Sequence, residues 1–233
     1  MWRGKKVGKM SIIFREARVQ VFTSPKVLST SLKHLAFELE NGYEFQPFSV
    51  FGRTIHIHHL MPAKTFNKTT PLEGFTRIAF IRAPIPRFVS MYANRVLRKH
   101  KASLHGWEEA EKRGLPLLPE IDFLVSHLEQ YRDAVMEIRH HSAPQANFLG
   151  SNPDFFDAIF TPETVSDFEN LLSMRLGQKI TLPHKQSSPV SKKIKVSRRS
   201  ASALEAFYSE DVGLFAQATH SNSRRDEQPP GVT

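Results

Sequence analysis

The chain has 233 residues, a length that suits one α/β domain with or without a polar end. Apolar residues make up 40%, enough for a sizeable core, and the absence of cysteine excludes disulfides, thiolate metal sites and cysteine nucleophiles. With 32 lysines and arginines against 23 aspartates and glutamates, the net charge of +9 indicates anionic partners, such as nucleotides, nucleic acid, acidic polysaccharide or anionic membranes.

The cellular location is predicted from the apolar segments. No apolar run approaches the roughly 18 residues that a transmembrane helix needs. The basic residues 1–6 are not followed by the long apolar segment of a secretory signal. We therefore expect a cytoplasmic protein without a transmembrane segment, and the lack of cysteine fits a reducing compartment.

The first predicted elements are a strand, a tight loop and a helix. Residues 19–23 have the pattern of a short buried strand, which Ser24 and Pro25 end. Leucine and alanine then recur at helical spacing over residues 32–39, and the Asn-Gly pair at 41–42 ends the helix.

The rest of the chain alternates strand and helix patterns. Further strands are predicted over residues 54–60, 75–82 and 155–160, and further helices over residues 87–99, 121–135, 165–176 and 203–216, with a polar connection over residues 100–119. One face of the helix over residues 87–99 carries Phe88, Met91, Tyr92 and Val96. This alternation predicts a mainly parallel sheet covered by helices, with ligands at the carboxyl ends of its strands.

One domain is predicted over residues 1–217. Within it, residues 185–199 hold six basic residues and no acidic one, which predicts a cationic and mobile segment. Residues 218–233 are polar and end in Gln-Pro-Pro-Gly-Val-Thr, a composition typical of a disordered tail.

The loop after the first strand is a candidate anion-binding site. Unpaired backbone N–H groups and the positive end of the helix dipole favour an anion there. Residues 29–31 add three hydroxyls and Lys26 adds a positive charge, although the glycines of the P-loop pattern are missing. Alternatively, Ser29 or Thr30 only caps the helix and Lys26 lies on the surface, and this segment by itself leaves both interpretations open.

A second candidate segment follows the strand over residues 75–82. Arg82 and Arg87 can offer forked donors to a phosphate, and Ser90 lies one helical turn beyond Arg87. For Arg87, a plain surface charge is an equally reasonable interpretation.

Together the two segments resemble the sulfotransferase superfamily. Residues 25–32, Pro-Lys-Val-Leu-Ser-Thr-Ser-Leu, are similar to its 5′-phosphosulfate loop, and R-x-P-x-x-R-x-x-S-x-Y over residues 82–92 is similar to its 3′-phosphate motif. The resemblance covers residues 19–188. Leu28 replaces a usual alanine and Ala83 a usual aspartate or histidine.

Within that superfamily the chain resembles the carbohydrate and uronyl 2-O-sulfotransferase branches. Residues 141–145 match the H-x-x-P-Q element of the carbohydrate branch, with Ser142 where the family usually has tryptophan. Residues 156–159 and 167–168 resemble the segment that follows this element.

The resemblance implies a P-loop-NTPase-like three-layer α/β domain with a mainly parallel central sheet flanked by helices. It also implies that 3′-phosphoadenosine 5′-phosphosulfate (PAPS) is the donor and that 3′,5′-diphosphoadenosine (PAP) is the product, with no metal required. The sulfuryl group would move in line to a hydroxyl, or an amine, of a carbohydrate or another acceptor.

The resemblance also implies roles for individual residues. Lys26 would stabilise charge on the bridging oxygen, by analogy with phosphoryl transfer. The 5′-phosphosulfate would be held by Pro25, Lys26, Ser29, Thr30 and Ser31, the 3′-phosphate by Arg82 and Ser90, and a polar loop with Lys185, Ser187 and Ser188 would close over the nucleotide. A solvated basic segment is the alternative for this last loop.

The acceptor hydroxyl needs a base, and histidines are the first candidates. On the strand predicted over residues 54–60, His56 and His58 would share one face while His59 points away. The uronyl branch carries a similar H-x-H, so we favour His58 as base and His56 as helper. The H-x-H pair could instead bind zinc, although no clear third and fourth ligand accompany it, or it could merely pack or be solvated. Glu44 is an acidic alternative for the base.

Two other classes of function fit parts of the sequence. A nucleotide or small-molecule kinase also uses a strand–loop–helix cradle, but Walker glycines and a carboxylate for Mg²⁺ at a strand end are missing. A non-enzymatic polyanion binder would fit the charge, but it would not explain why Lys26 and Arg82 follow predicted strands. No nucleic-acid-binding signature occurs, so nucleic acid is not an expected partner.

Overall fold

The computed structural model describes residues 10–61, 71–98, 106–184, 191 and 193–212. These residues divide into two compact units: the first holds residues 10–61, 71–81 and 145–184, and the second holds residues 82–98, 106–144, 191 and 193–212. The predicted tail over residues 218–233 lies outside the described residues. A single domain over residues 1–217 stays a prediction.

The first unit contains all the strands that the structure describes. In chain order they are β1 Met10–Phe14, β2 Val19–Thr23, β3 Phe48–Val50, β4 Arg53–Ile55, β5 Thr76–Phe80 and β6 Ala158–Phe160. One sheet has the order β1-β2-β5-β6, in which β1 pairs antiparallel with β2 and the other two pairings are parallel. β3 and β4 form a separate antiparallel hairpin. The predicted α/β class with a mainly parallel sheet is confirmed.

The helices flank this sheet in the first unit and make up the second. In chain order they are α1 Ser29–Asn41, α2 Ile57–Leu60, α3 Pro84–Tyr92, α4 Trp107–Lys112, α5 Ile121–Ser126, α6 Leu128–Ala134, α7 Met136–Ser142, α8 Ala146–Leu149, α9 Val165–Leu176 and α10 Arg198–Phe207. Across the described ranges, no helix combines the length and the apolar character needed to cross a bilayer.

The core of the first unit lies between one face of the sheet and the helices α1 and α9. Alternate strand residues point to this face because side chains on a strand alternate, and Val21 and Phe80 are fully buried there against Leu32 of α1. The ring of Phe168 on α9 packs edge-on against Phe80, with ring centroids 5.0 Å apart. This packing fixes the N-terminus of α1 next to the carboxyl end of β2.

The opposite face of the same sheet is also covered within the first unit. Phe22 of β2 contacts the rings of Phe155 and Phe156 edge-on, each with centroids 5.5 Å away. The helix α8 also packs against β2. The sheet therefore has side chains packed on both of its faces.

Most elements of the first unit follow the prediction, and the bounds of β2, α1 and α9 agree with it. The strand predicted over residues 54–60 is wrong. β4 ends at Ile55, and α2 follows because His56 accepts a hydrogen bond at its first turn while His59 receives one from the backbone of His56. The buried side chain of Ile57 anchors this turn.

Two further strand predictions change in detail. The strand predicted over residues 155–160 begins only at Ala158, because Pro153 and the capping side chain of Asn152 start a 3₁₀ turn that includes Phe155. β1 and the β3–β4 hairpin were not predicted.

The second unit is helical, and its helices start and stop differently from the prediction. α3 begins at Pro84, because proline is favoured in the first turn of a helix, and a π-helical turn over Ala93–Leu97 continues it. The predicted face is confirmed as buried, with Phe88, Met91, Tyr92 and Val96 all in the core.

The long helix predicted over residues 121–135 is divided into α5 and α6, and Val135 directly precedes α7. At the first break the Ser126 hydroxyl donates to the carbonyl of Phe123, and the ring of His127 stacks on Phe123. Such local side-chain contacts compete with helical hydrogen bonds. Val135 adopts an extended conformation at the second break.

The end of the second unit also differs from the prediction. The helix expected over residues 203–216 begins at Arg198, because the Ser197 hydroxyl accepts a hydrogen bond from the backbone N–H of Ser200 at 3.2 Å. Just before it, Ile194 and Val196 pack against the core of the second unit.

A buried ion pair lies in the second unit. Arg87 of α3 is fully buried, and its Nη2 lies 3.6 Å from a carboxylate oxygen of Asp211 and donates to the carbonyl of Ala143 at 2.7 Å. Its guanidinium lies over the ring of Tyr208, whose pKa is raised by burial to about 12. Burial lowers the pKa of Arg87. Arg87 is therefore not a surface charge, so that interpretation is wrong, and its buried position beside Asp211 argues against contact with a phosphate.

Removing the Asp211 carboxylate should destabilise the protein strongly. Asp211→Ala leaves the Arg87 guanidinium buried without its anionic partner, and we expect it to lower the free energy of unfolding by about 3–5 kcal/mol in a urea titration. The matched control is Glu210→Ala, which removes a neighbouring exposed carboxylate and should cost at most about 0.5 kcal/mol. Equal effects of the two substitutions would contradict the structural role of the pair.

Candidate functional site

The loop between β2 and α1 is held by buried polar contacts. The hydroxyl of Thr23, at the end of β2, donates to the carbonyl of Val27, and the N–H of Val27 donates to the carbonyl of Ser24 at 3.3 Å. The hydroxyl of Ser24 donates to Oε1 of Gln145 at 3.4 Å. All four of these residues are buried, so the loop is fixed from inside the first unit.

Two residues of this loop have a left-handed backbone although neither is glycine. φ is 71° at Lys26 and 51° at Leu28. A non-glycine residue in this region costs about 1–3 kcal/mol, and such strain is typical of ligand-binding loops whose surroundings fix them. Leu28 is followed by helical Ser29, and a left-handed residue next to a helical one turns successive N–H groups toward one side.

The N-terminus of α1 has no side-chain cap. Leu28 occupies the capping position and has no side-chain acceptor, so the interpretation that Ser29 or Thr30 caps the helix is wrong. Ser29 and Thr30 lie in the first turn and are partly exposed, whereas Ser31 is buried. Together with the partly exposed Lys26, these hydroxyls and the helix dipole favour an anion at this position.

α2 brings His58 to the first turns of α1. His58 Nε2 and Thr30 Oγ1 lie 3.0 Å apart, and His58 Nδ1 lies 3.2 Å from the ammonium nitrogen of Lys33. Lys33 also donates to the carbonyl of Met61 at 2.7 Å. Burial lowers the pKa of Lys33 to about 8. A titratable pair thus adjoins the candidate anion site.

The other candidate bases have different surroundings. The backbone N–H of His56 donates to Nδ1 of His59 at 3.0 Å, so these two histidines close the first turn of α2. The sequence predicted that His56 and His58 share one face of a strand. This prediction is wrong, because His56 caps α2 and His58 lies within that helix. Glu44 is exposed and accepts a hydrogen bond from Gln46.

The second unit carries the other predicted phosphate ligands. Arg82 is partly buried, follows β5 by two residues and directly precedes Ala83, the residue that caps α3. Ser90 is partly exposed and lies in the last turns of α3. Arg87, the remaining basic residue of the motif, is committed to Asp211.

Two further expectations concern the loop over the nucleotide and a metal site. Lys185, Ser187 and Ser188 lie outside the described residues. Within the described ranges, no three His, Asp or Glu side chains are grouped as metal ligands.

Sequence reasoning missed two residues next to the loop. Gln145 was part of the H-x-x-P-Q element without a clear role, and the structure places its amide against Ser24. Lys33 belongs to neither motif and lies among the leucines of α1. The spacing of three residues places Thr30 and Lys33 on one side of the helix. No sequence pattern indicated that Lys33 is buried.

One comparison with known proteins gives a match. The model of a protein family described as "Sulfotransferase family" matches residues 11–220, which include residues of both units. No curated protein and no solved structure matches the chain.

The left-handed backbone at Lys26 has a measurable consequence for stability. Lys26→Gly and Lys26→Ala both remove the ammonium group, but only glycine adopts φ of 71° without strain. We expect the glycine variant to be more stable than the alanine variant by about 1 kcal/mol in a urea titration. At exposed Lys179, which lacks a positive φ, glycine should not be the more stable of the two replacements. If glycine were more stabilising than alanine at both positions, a fixed left-handed backbone at Lys26 would be contradicted.

Proposed function

The chain belongs to the sulfotransferase family, whose members transfer sulfuryl groups, and we propose that its donor is PAPS, its product PAP and its acceptor a carbohydrate hydroxyl. The observation that carries this proposal is the position of His58, whose Nε2 lies 3.0 Å from Thr30 in the first turn after the loop. A candidate base and a candidate anion site therefore adjoin each other.

The loop after β2 suits the 5′-phosphosulfate end of the donor. Ser29 and Thr30 offer hydroxyls from the first turn of α1, Ser31 follows in the same turn, and the buried Pro25 restricts φ at the start of the loop. Lys26 supplies a positive charge beside them. PAPS brings an activated sulfuryl group, and Lys26 would stabilise the negative charge that develops on the oxygen bridging it to the nucleotide.

Arg82 and Ser90 are proposed to hold the 3′-phosphate of the nucleotide. Both are partly exposed, whereas Arg87 of the same motif is fully buried against Asp211. Burial thus leaves Arg82 as the arginine of this motif that a phosphate can approach. An arginine offers a phosphate two parallel donors, which suits this task.

His58 is proposed as the general base. A base must reach the proton of the acceptor hydroxyl, and the neighbouring Thr30 places His58 beside the site proposed for the sulfuryl group. His56 would help indirectly, because it caps the short helix that carries His58. Lys185, Ser187 and Ser188 remain proposed for a loop over the nucleotide, on the resemblance alone.

The proposal of a carbohydrate acceptor rests on the surface that precedes these histidines. The β3–β4 hairpin exposes Phe48 and, at its tip, a fully exposed Phe51, with exposed Arg53 beside it. These aromatic side chains offer apolar faces against which a sugar ring could pack, and a nearby cation suits an acidic sugar. A cytoplasmic location remains a prediction from the sequence.

Ligand-induced stabilisation should identify the donor class. We expect PAP at about 100 times its dissociation constant to stabilise the protein by about 2.7 kcal/mol, which corresponds to a rise in Tm of about 5 °C or more. ATP with Mg²⁺ would stabilise a kinase instead, and heparin a polyanion-binding protein. Stabilisation by ATP with Mg²⁺ and none by PAP would refute the proposed donor.

Three substitutions should separate binding from turnover. Lys26→Ala should lower the rate of transfer from ³⁵S-labelled PAPS by about 100-fold or more, because a charge at the bridging oxygen is removed. Arg82→Ala should weaken PAP binding, measured by calorimetry. His58→Ala should lower turnover by about 100-fold or more while PAP binding persists.

The matched control for His58 is its neighbour on α2. His59→Gln removes an exposed imidazole from the same helix but keeps a side-chain acceptor for the backbone N–H of His56, so it should keep most of the turnover. A panel of glycans, lipids and small alcohols serves as acceptors in these assays. If His58→Ala and His59→Gln have the same turnover on every acceptor, His58 is not the base.

A further inference from the structure

Lys33 is a buried lysine without a carboxylate partner among the described residues. Its side chain is only 3% exposed, and its recorded contacts are Nδ1 of His58 and the carbonyl of Met61. Burial is the sole cause of its lowered pKa. A charged lysine is costly in such a place, so the neutral amine is accessible near physiological pH.

The two states of Lys33 require different tautomers of His58. A protonated lysine has only donors, so it can meet Nδ1 only if that nitrogen carries the lone pair. In a neutral imidazole the proton is then on Nε2, which faces Thr30. Nδ1 is occupied by Lys33 and Nε2 holds a proton, so neither ring nitrogen is available as a base.

A neutral Lys33 reverses this arrangement. The amine has one lone pair and two N–H groups, so it can accept from Nδ1–H while it continues to donate to the carbonyl of Met61. The lone pair of His58 is then on Nε2, the nitrogen beside Thr30. In this state His58 can take a proton on the side of the loop.

We propose that Lys33 is a positioning residue that determines which ring nitrogen of His58 carries the proton, so that His58 acts as a base only when Lys33 is neutral. This proposal rests on the proposed function. The acceptor oxygen bonds to sulfur, the bond between sulfur and the oxygen of PAP breaks, and the acceptor proton moves to Nε2. The Nδ1–H of the resulting imidazolium then donates to the amine of Lys33.

The other charged and titratable groups near this pair are engaged elsewhere. On α1, the ring of His34 packs against Phe45. On α2, His56 and His59 contact each other. Beside β1, which packs against α1, Arg15 pairs with Glu40 at the far end of that helix. Lys26, on the loop, precedes Lys33 by seven residues, and the exposed Arg53 of β4 precedes His58 by five.

The histidine tautomers can be measured directly by ¹⁵N NMR on protein labelled at its histidine rings. We expect the His58 signals, identified by their loss in His58→Gln, to report a proton on Nε2 at pH 7. The proton should move to Nδ1 with a midpoint near pH 8, the pKa of Lys33. If the tautomer does not change between pH 7 and pH 9, the proposal is overturned, whatever the variants do.

Two substitutions of Lys33 should hold the imidazole of His58 in opposite tautomers. Lys33→Arg is always protonated and should keep the proton on Nε2 at every pH up to 9. Lys33→Gln can accept from Nδ1–H with its amide oxygen and donate to Met61, so the neutral ring should carry its proton on Nδ1 already at pH 7. The control Lys179→Gln, at an exposed lysine, should leave the wild-type titration unchanged.

This experiment separates the proposal from the proposed function. It needs neither donor nor acceptor, so a failure of PAP to bind would refute the proposed function and leave the tautomer result intact. Conversely, if PAP binds and the tautomer is the same in Lys33→Arg and Lys33→Gln, Lys33 is only a structural residue and the inference is wrong.

Discussion

The hydroxyl of Thr23 donates to the carbonyl of Val27, and this buried contact closes the loop on which the rest of the site depends. With the side chain of Val27 in the core, the chain between them must turn within a few residues, and the backbone becomes left-handed at Lys26 and Leu28. Leu28 has no side-chain acceptor, so α1 begins without a side-chain cap. The left-handed backbone of the loop and the uncapped start of the helix thus have one cause.

The sequence was sufficient where a local pattern decides the structure. β2, α1 and α9 have uninterrupted patterns, and Gly42 ends α1 with the left-handed backbone that its residue type favours. Residues 54–60 were mispredicted because alternation alone cannot distinguish a strand from a short helix capped by His56. The resemblance led to the correct family, since the two motifs are local in the sequence.

Burial of long charged side chains could not be predicted, because it depends on partners far away in the chain. Arg87 is part of a motif and was expected at the surface or at a phosphate, yet Asp211 and the carbonyl of Ala143 enclose it. Lys33 meets Met61 and His58 only because α2 folds back on α1. In both cases the residue type was visible, but the environment that changes its chemistry was not.

The pairing of Arg87 with Asp211 also affects when the second unit can finish folding during synthesis. Domains tend to fold from their N-terminal part as they leave the ribosome. α3 emerges long before Asp211, so its buried arginine lacks its anion until almost the whole described chain has been synthesised. We therefore expect the second unit to complete its core late in translation, after Asp211 has left the ribosome.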